Sequence, residues 1–379
     1  MTERELCIGL NMISGIGSVR YRALCEAFGS PDAVRGASRG ELQEIPGIGR
    51  ITAERMVAFD WDAELSRELS IAERGGVRIL TLADEDYPKA LREIFDPPIC
   101  LYIRGRLPED PERSVAIVGS RRISGYGERM AKMLAEEATQ CGFTVFSGLA
   151  AGTDTVVHRA VTELAGKTVG VIGGGLLHMY PRENIPLARE MIASGGAVMS
   201  EFPLDFPINR RNFPRRNRIV AGMCRAVIVV EAGVDSGALI TARLAAEMGK
   251  EVFAVPGRVD NMQARGCHRL IKEGAGLAEN FDDVLMALST GLRPGELNAA
   301  TGEVTGTGEL PPECELILGL LANGDADLEE LQEATGMEPG ALLSLLTGLE
   351  MKLLVSRDSD MYYHLAGSTL NRRGGGRDF

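Results

Sequence analysis

Residues 115–122 read VAIVGSRR, a short β-branched run that stops on glycine and serine. The same pattern recurs downstream as TVFSG at 144–148, TVGVIGGG at 168–175, AVMSE at 197–201, AVIVVEA at 226–232 and EVFAVPG at 251–257. Helix-length stretches at 126–140, 154–165 and 236–248 lie between them. Apolar runs that do not alternate with polar residues suit strands buried on both faces. Their alternation with helices predicts an α/β fold with a mostly parallel sheet. Such sheets bind ligands beyond the C-terminal ends of their strands.

Outward from this core, spanning 114–290, the pattern changes on both sides. Residues 1–75 predict short helices. Two glycine elements, SGIG at 14–17 and PGIG at 46–49, each sit between helix-like stretches. That arrangement fits a helix-hairpin-helix domain, whose glycines permit a tight turn with N–H groups aimed at a phosphate. A purely structural helical domain is the alternative. Residues 76–113, rich in proline, read as a connector with some structure. Residues 291–310 are Gly/Thr-rich and read as a linker. Residues 311–368 combine leucine-spaced helices with a β-like ending, LLVSRDSDMYYHL, the outline of a winged helix. Residues 369–379 read as a disordered tail.

A chain of 379 residues suits two or three domains. It shows neither a secretory signal nor an apolar run of bilayer length, so a cytoplasmic protein without a membrane partner is expected. The seven cysteines form no C-x-x-C pair, and the four histidines do not cluster, so no metal site and no cofactor are expected. The net charge of −12, taken as an average, opposes binding of a polyanion. However, residues 294–351 hold twelve acids and no Lys or Arg. Setting those aside leaves 41 acids against 41 bases, so the whole excess belongs to one C-terminal segment.

The strongest local signal is INRRNFPRRNRIVAG at 208–222, with Arg210, Arg211, Arg215, Arg216 and Arg218 around Phe213 and no acid. Guanidinium forks match phosphate oxygens, and an aromatic among them can stack on an unpaired base. A solvated helix face or an internal salt-bridge network is the competing reading. Small-residue turns follow three strands: Gly119, Ser120, Arg121 and Arg122; Ser147 and Gly148; Ser236 and Gly237. Such turns let backbone N–H groups approach an anion. Enzymatic frames fail on context. Lys167-Thr168 lacks the earlier glycine of a phosphate loop and precedes a strand, and Ser147 lacks a G-x-S-x-G frame. Asp154 and His158 stand four apart; a structural role in holding the 148–154 loop is expected over acid–base chemistry.

Segments 115–127, 147–158, 168–184, 213–222 and 229–257 together resemble the DNA-processing protein A (DprA/Smf) family in order and spacing. The resemblance implies an extended Rossmann-like core flanked by the helix-hairpin-helix-like domain and the winged helix. It implies a non-enzymatic protein that binds single-stranded DNA, forms a homodimer and loads the RecA recombinase during natural transformation. Carried over, it places Arg121, Arg182, Arg210, Arg216, Asn217 and Arg218 in a basic pocket, and sets His268, Ile271 and Leu277 near a dimer contact. Thr153 and His178 depart from the usual pattern. A nucleotide-monophosphate phosphoribohydrolase on a related sheet is the alternative, but its P-G-G-x-G-T signature is missing at 231–237.

Overall fold

The computed structural model describes residues 1–108, 110–209, 211–288, 312–321, 326–351, 355–357 and 362–365. Arg210, the 291–310 linker and the 369–379 tail lie outside them. Two compact units divide the chain, residues 1–289 and 290–379.

The first unit is built on a nine-stranded sheet. Its strands are β1 (Arg78–Thr81), β2 (Cys100–Gly105), β3 (Ser114–Val118), β4 (Thr144–Ser147), β5 (Thr168–Val171), β6 (Ala197–Ser200), β7 (Ala226–Val229), β8 (Glu251–Ala254) and β9 (Gly276–Leu277). Their order is β1-β2-β6-β5-β4-β3-β7-β8-β9. From β6 to β9 every pairing is parallel. The parallel part of the sheet starts at central β3, winds outward through β4, β5 and β6, then crosses back to β7. The resulting reversal between β3 and β7 is a topological switch point, where neighbouring loops part and leave a crevice.

The reading of 76–113 as a connector needs correction. That stretch supplies β1 and β2, which pair antiparallel with each other and with β6. Alternate residues sort onto the two faces of the sheet. Ala116, Val118, Val227 and Val229 enter one apolar cluster, and Val115, Ile117, Ala226 and Ile228 another. Helices cover both, which is why these strands lack polar alternation.

The N-terminal helices, from Glu3–Met12 to Trp61–Gly75, share a core with the sheet's outer edge, where Leu6, Leu24 and Trp61 cluster with Ile79, Cys100 and Tyr102. Buried Glu68 accepts the Leu204 N–H at 2.8 Å and ties the last helix to the segment after β6. Both hairpins turn on a left-handed glycine, Gly15 (φ 100°) and Gly47 (φ 83°), a backbone region that side chains disfavour.

The second unit holds helices Pro312–Leu321, Leu328–Thr335 and Pro339–Met351, and an antiparallel ladder of Val355–Arg357 with Tyr363–Leu365. Ile317, Leu331, Leu342, Leu346 and Leu349 form its core. Among the described residues, no helix is long and apolar enough to cross a membrane.

Candidate nucleic-acid interface

A cavity of about 550 Å³ opens at the switch point. The turn after β3 contributes Gly119, Ser120, Arg121 and Arg122, and the turn after β7 contributes Ser236 and Gly237. Gly148 lies at its floor, and Phe213, Arg216 and Asn217 come from the helix Asn212–Gly222. The three glycine-bearing strand ends and the arginine-rich helix therefore converge on this cavity.

The first turn is held rigidly. The backbone N–H and side-chain hydroxyl of buried Thr153 both donate to the Ser120 carbonyl at 3.1 Å. Ser120 Oγ in turn accepts the Arg122 N–H at 3.0 Å. Gly152 (φ 81°) passes so close that a Cβ would sit 2.4 Å from the Ser120 carbonyl oxygen. Thr153, a departure from the family pattern, thus acts as a clamp. Ser236 caps the helix Gly237–Glu247 by accepting the Ala238 N–H, which leaves that helix's positive end at the cavity wall. Asn217 reaches across to the Gly237 carbonyl at 3.3 Å.

The five arginines do not act alike. Arg211 is exposed at the start of its helix. Exposed Arg121, from the first turn, lies over the Phe213 ring with its guanidinium carbon 4.8 Å from the centroid, a cation–π contact that presents charge and ring together. Arg216, by contrast, is only 5% exposed and donates to the carbonyls of Gly148 and Val171. Arg218, 7% exposed, forks onto both oxygens of buried Glu201 (3.2 and 2.8 Å) and reaches Asp96 at 3.1 Å. Arg215 also bonds Glu201, at 2.8 Å, and packs over the Phe202 ring. The cluster therefore contains its own counterions, and the expectation that all its arginines face a partner is corrected for Arg216 and Arg218. Burial raises the Asp96 carboxyl, but Arg218, Ser18 and Arg215 together hold it below its ordinary value.

Two further expected residues lie elsewhere. Ser147 is buried in the sheet and donates to the Ile117 carbonyl at 2.7 Å, away from the cavity. Arg182 lines a second, separate cavity. Arg210 falls outside the described residues. Asp154 and His158 are both buried but have separate partners. Asp154 accepts the Ala150 N–H at 3.2 Å, while His158 Nδ1 pairs with Thr168 Oγ1 at 2.7 Å. Burial, aided by the nearby Arg216 charge, pulls the imidazole down to about 3 and keeps it neutral. Burial pushes the Asp154 carboxyl up against the pull of Arg216, and burial draws Arg216 itself down to about 10, still protonated at neutral pH. Asp154 and Arg216 both close on Gly148, where a Cβ would lie 2.4–2.6 Å from their side-chain nitrogens and oxygen.

Of the dimer candidates, His268 turns inward to the Gly257 carbonyl (2.9 Å), and Ile271 packs on the core. Leu277 is 44% exposed on β9, the last strand of the sheet. The pattern also missed Glu231, which accepts from the backbone and hydroxyl of Ser124 (2.8 and 2.6 Å) and so fixes the helix Gly125–Gln140 beside the first turn. Its position in VEAGVD was visible, but its partner, 107 residues away, was not.

Residues 78–289 match the family described as DNA recombination-mediator protein A, and residues 8–59 match a SAM-like helix-hairpin-helix tandem. Protein Smf of Synechocystis is 31% identical, over 96% of this chain and 98% of that one. The X-ray structure of DNA processing protein A from Streptococcus pneumoniae superposes with a TM-score of 0.65 at 33% identity, covering 75% of this chain and 98% of that one. DNA processing protein A from Helicobacter pylori, described by its single-stranded DNA binding mode, gives 0.50 at 30% identity, covering 57% of this chain and 98% of that one. With more than half of its length inside the family pattern, and a relative matching it nearly end to end, the chain belongs to the DprA/Smf family of DNA recombination mediators, a DNA-processing class rather than an enzyme class.

Proposed function

We propose that the switch-point cavity binds single-stranded DNA. The observation that carries this reading is the pairing of Arg121 with Phe213 beside a clamped glycine turn. Phosphates are held by Arg121, Arg122 and Arg211, by the backbone of the turns at 119–122 and 236–237, and by the helix N-terminus at Gly237. An unpaired base stacks on Phe213. Asn217 positions the far wall. Arg215, Arg216 and Arg218 set the height and angle of their helix rather than meeting the strand directly. The description of the Helicobacter pylori relative supports the same ligand. A stacking ring needs an unstacked base, which a duplex does not offer. Gel shifts with single- and double-stranded DNA of equal length, over a salt series, test this. Tighter single-strand binding that weakens as salt rises is expected, and equal affinity for the duplex would refute it.

The mediator role is read further as loading of the RecA recombinase onto that strand in transformation or recombination, a reading supported by the family resemblance. Homodimerisation is proposed through the β9 edge, with Leu277 as the exposed apolar contact. Two cavities on one strand would raise avidity without new contacts. Sedimentation of Leu277→Glu is expected to show a monomer where the unaltered chain is a dimer; a variant that stays dimeric excludes this edge.

A further inference from the structure

A second cavity, of about 610 Å³, lies between the N-terminal helices and the core. That volume falls within the range of small-ligand sites, about 300–1,000 Å³. Part of its lining is aliphatic, with Ile71 from the helix Trp61–Gly75 and Ile208 from the segment after β6. Arg104, Arg182 and Arg189 line it, each exposed, and no carboxylate does among the described residues. None of the three guanidiniums has a hydrogen-bond or ion-pair partner among the described residues. Nearby side chains already have a partner: His178, also lining the cavity, and Arg67 both hold Asp205, at 2.8 and 3.2 Å. Tyr180, 56% exposed, presents its ring at the same cavity.

Three unneutralised guanidiniums call for an anion, while an aliphatic lining and a free ring call for a flat apolar group. Inorganic phosphate answers the first demand only, and an apolar peptide the second only. We propose that this cavity is a nucleotide subsite, with the base between Tyr180 and the aliphatic lining and the phosphate held by Arg104, Arg182 and Arg189. The two cavities are neighbours. Phe213 of the first packs on Gly173 and Ile208 of the second packs on Gly174, so successive residues of one turn separate them.

The base-plus-phosphate group has two sources, a nucleotide of a bound strand or a free mononucleotide. The strand-borne source rests on the single-strand reading above. Photocrosslinking of the full chain to a thymidine oligonucleotide carrying 5-iodouracil, with peptide mapping, tests it. Crosslinks at both Phe213 and Tyr180, with only the Tyr180 product abolished in the double variant Arg104→Ala, Arg189→Ala, are expected for a strand. Calorimetric titration with dTMP, against inorganic phosphate as control, tests the free source. Binding of dTMP weakened at least tenfold in the double variant, with no strand crosslink at Tyr180, establishes the subsite for free nucleotide. Absence of the Phe213 crosslink alone would defeat the single-strand reading and leave the dTMP result to decide this one. Absence of a Tyr180 crosslink together with dTMP binding no tighter than phosphate overturns the proposal. Both crosslinking and titration are read first on the unaltered chain, so a poorly folded variant does not shelter it.

Discussion

Within nine residues of one segment, arginines meet two opposite fates. Arg211, like Arg121 across the cavity, stands in solvent with its charge available, whereas Arg216 and Arg218 are buried and engaged. Position along the helix explains the difference. From Ile219 to Gly222 every residue is buried, so the helix Asn212–Gly222 enters the protein as it proceeds, and only its first turn faces outward. A helix buried all round must supply partners for any charge it carries inward. Glu201, Asp96 and the carbonyls of Gly148 and Val171 do so. A run of like charge is therefore two devices in one: outer cations hold a ligand, and inner cations hold the scaffold that aims them.

The sharpest way to break this distinction is Arg218→Ala. Removing one member of a buried pair strands the other, at a cost of about 3–5 kcal/mol, against a total stability of about 5–15 kcal/mol. Because Arg215 also reaches Glu201, the lower end of that range is expected. Urea unfolding should show a large drop in midpoint, with DNA binding lost only as far as folding is lost. A stably folded Arg218→Ala protein with weakened DNA binding would reverse the assignment. The next test is Gly148→Ala. Its new methyl must displace Arg216 or Asp154, and overpacking of this kind costs about 1–3 kcal/mol. Unchanged thermal stability would mean that the floor of the cavity yields more readily than its close approaches suggest.

The outer cations predict the complementary signature. In Arg121→Ala with Arg211→Ala, the slope of log affinity against log salt should fall by about 1.4, because each single-strand phosphate that is no longer neutralised removes about 0.7. Thermal stability should hold, since neither guanidinium has an ion-pair partner among the described residues. An unchanged slope would remove this pair from the interface.

Much of this was legible in the order of residues. Parallel strands buried on both faces announce themselves as VAIVG or AVIVVEA, and the glycine turns that end them mark the cavity edge. The outer strands were harder. RILT and CLYIRG lie in a proline-rich stretch and pair antiparallel at one edge, where short strands carry little periodicity. The direction of each arginine was not legible at all, because the counterions of Arg218 lie 17 and 122 residues away. Burial of Ser147 was equally hidden, since a serine closing a strand can face the ligand or, as here, the neighbouring strand's carbonyl. Of the second cavity's cations only Arg182 was marked in the sequence, since Arg104 and Arg189 come from elements far apart in the chain and carry no motif.

The smallest effect is expected from the C-terminal unit, and its sign is the informative part. Winged helices that read DNA place a recognition helix in the major groove and anchor it on phosphates. Here the corresponding helix, Pro339–Met351, carries no Lys or Arg, and Leu342, Leu346 and Leu349 are committed to the unit's own core. The twelve acids of 294–351 supply repulsion instead. Tethered to a core that is otherwise charge-balanced, they are expected to lower DNA affinity by charge repulsion, most strongly when salt screening is weak. Removing residues 294–379 leaves the compact unit 1–289 whole. Its affinity for single-stranded DNA should match or exceed that of the full chain, with the larger gain at low salt. A marked loss of affinity in a truncated protein that still folds and dimerises would show that this acidic unit contributes to DNA binding after all, by a route other than phosphate contact.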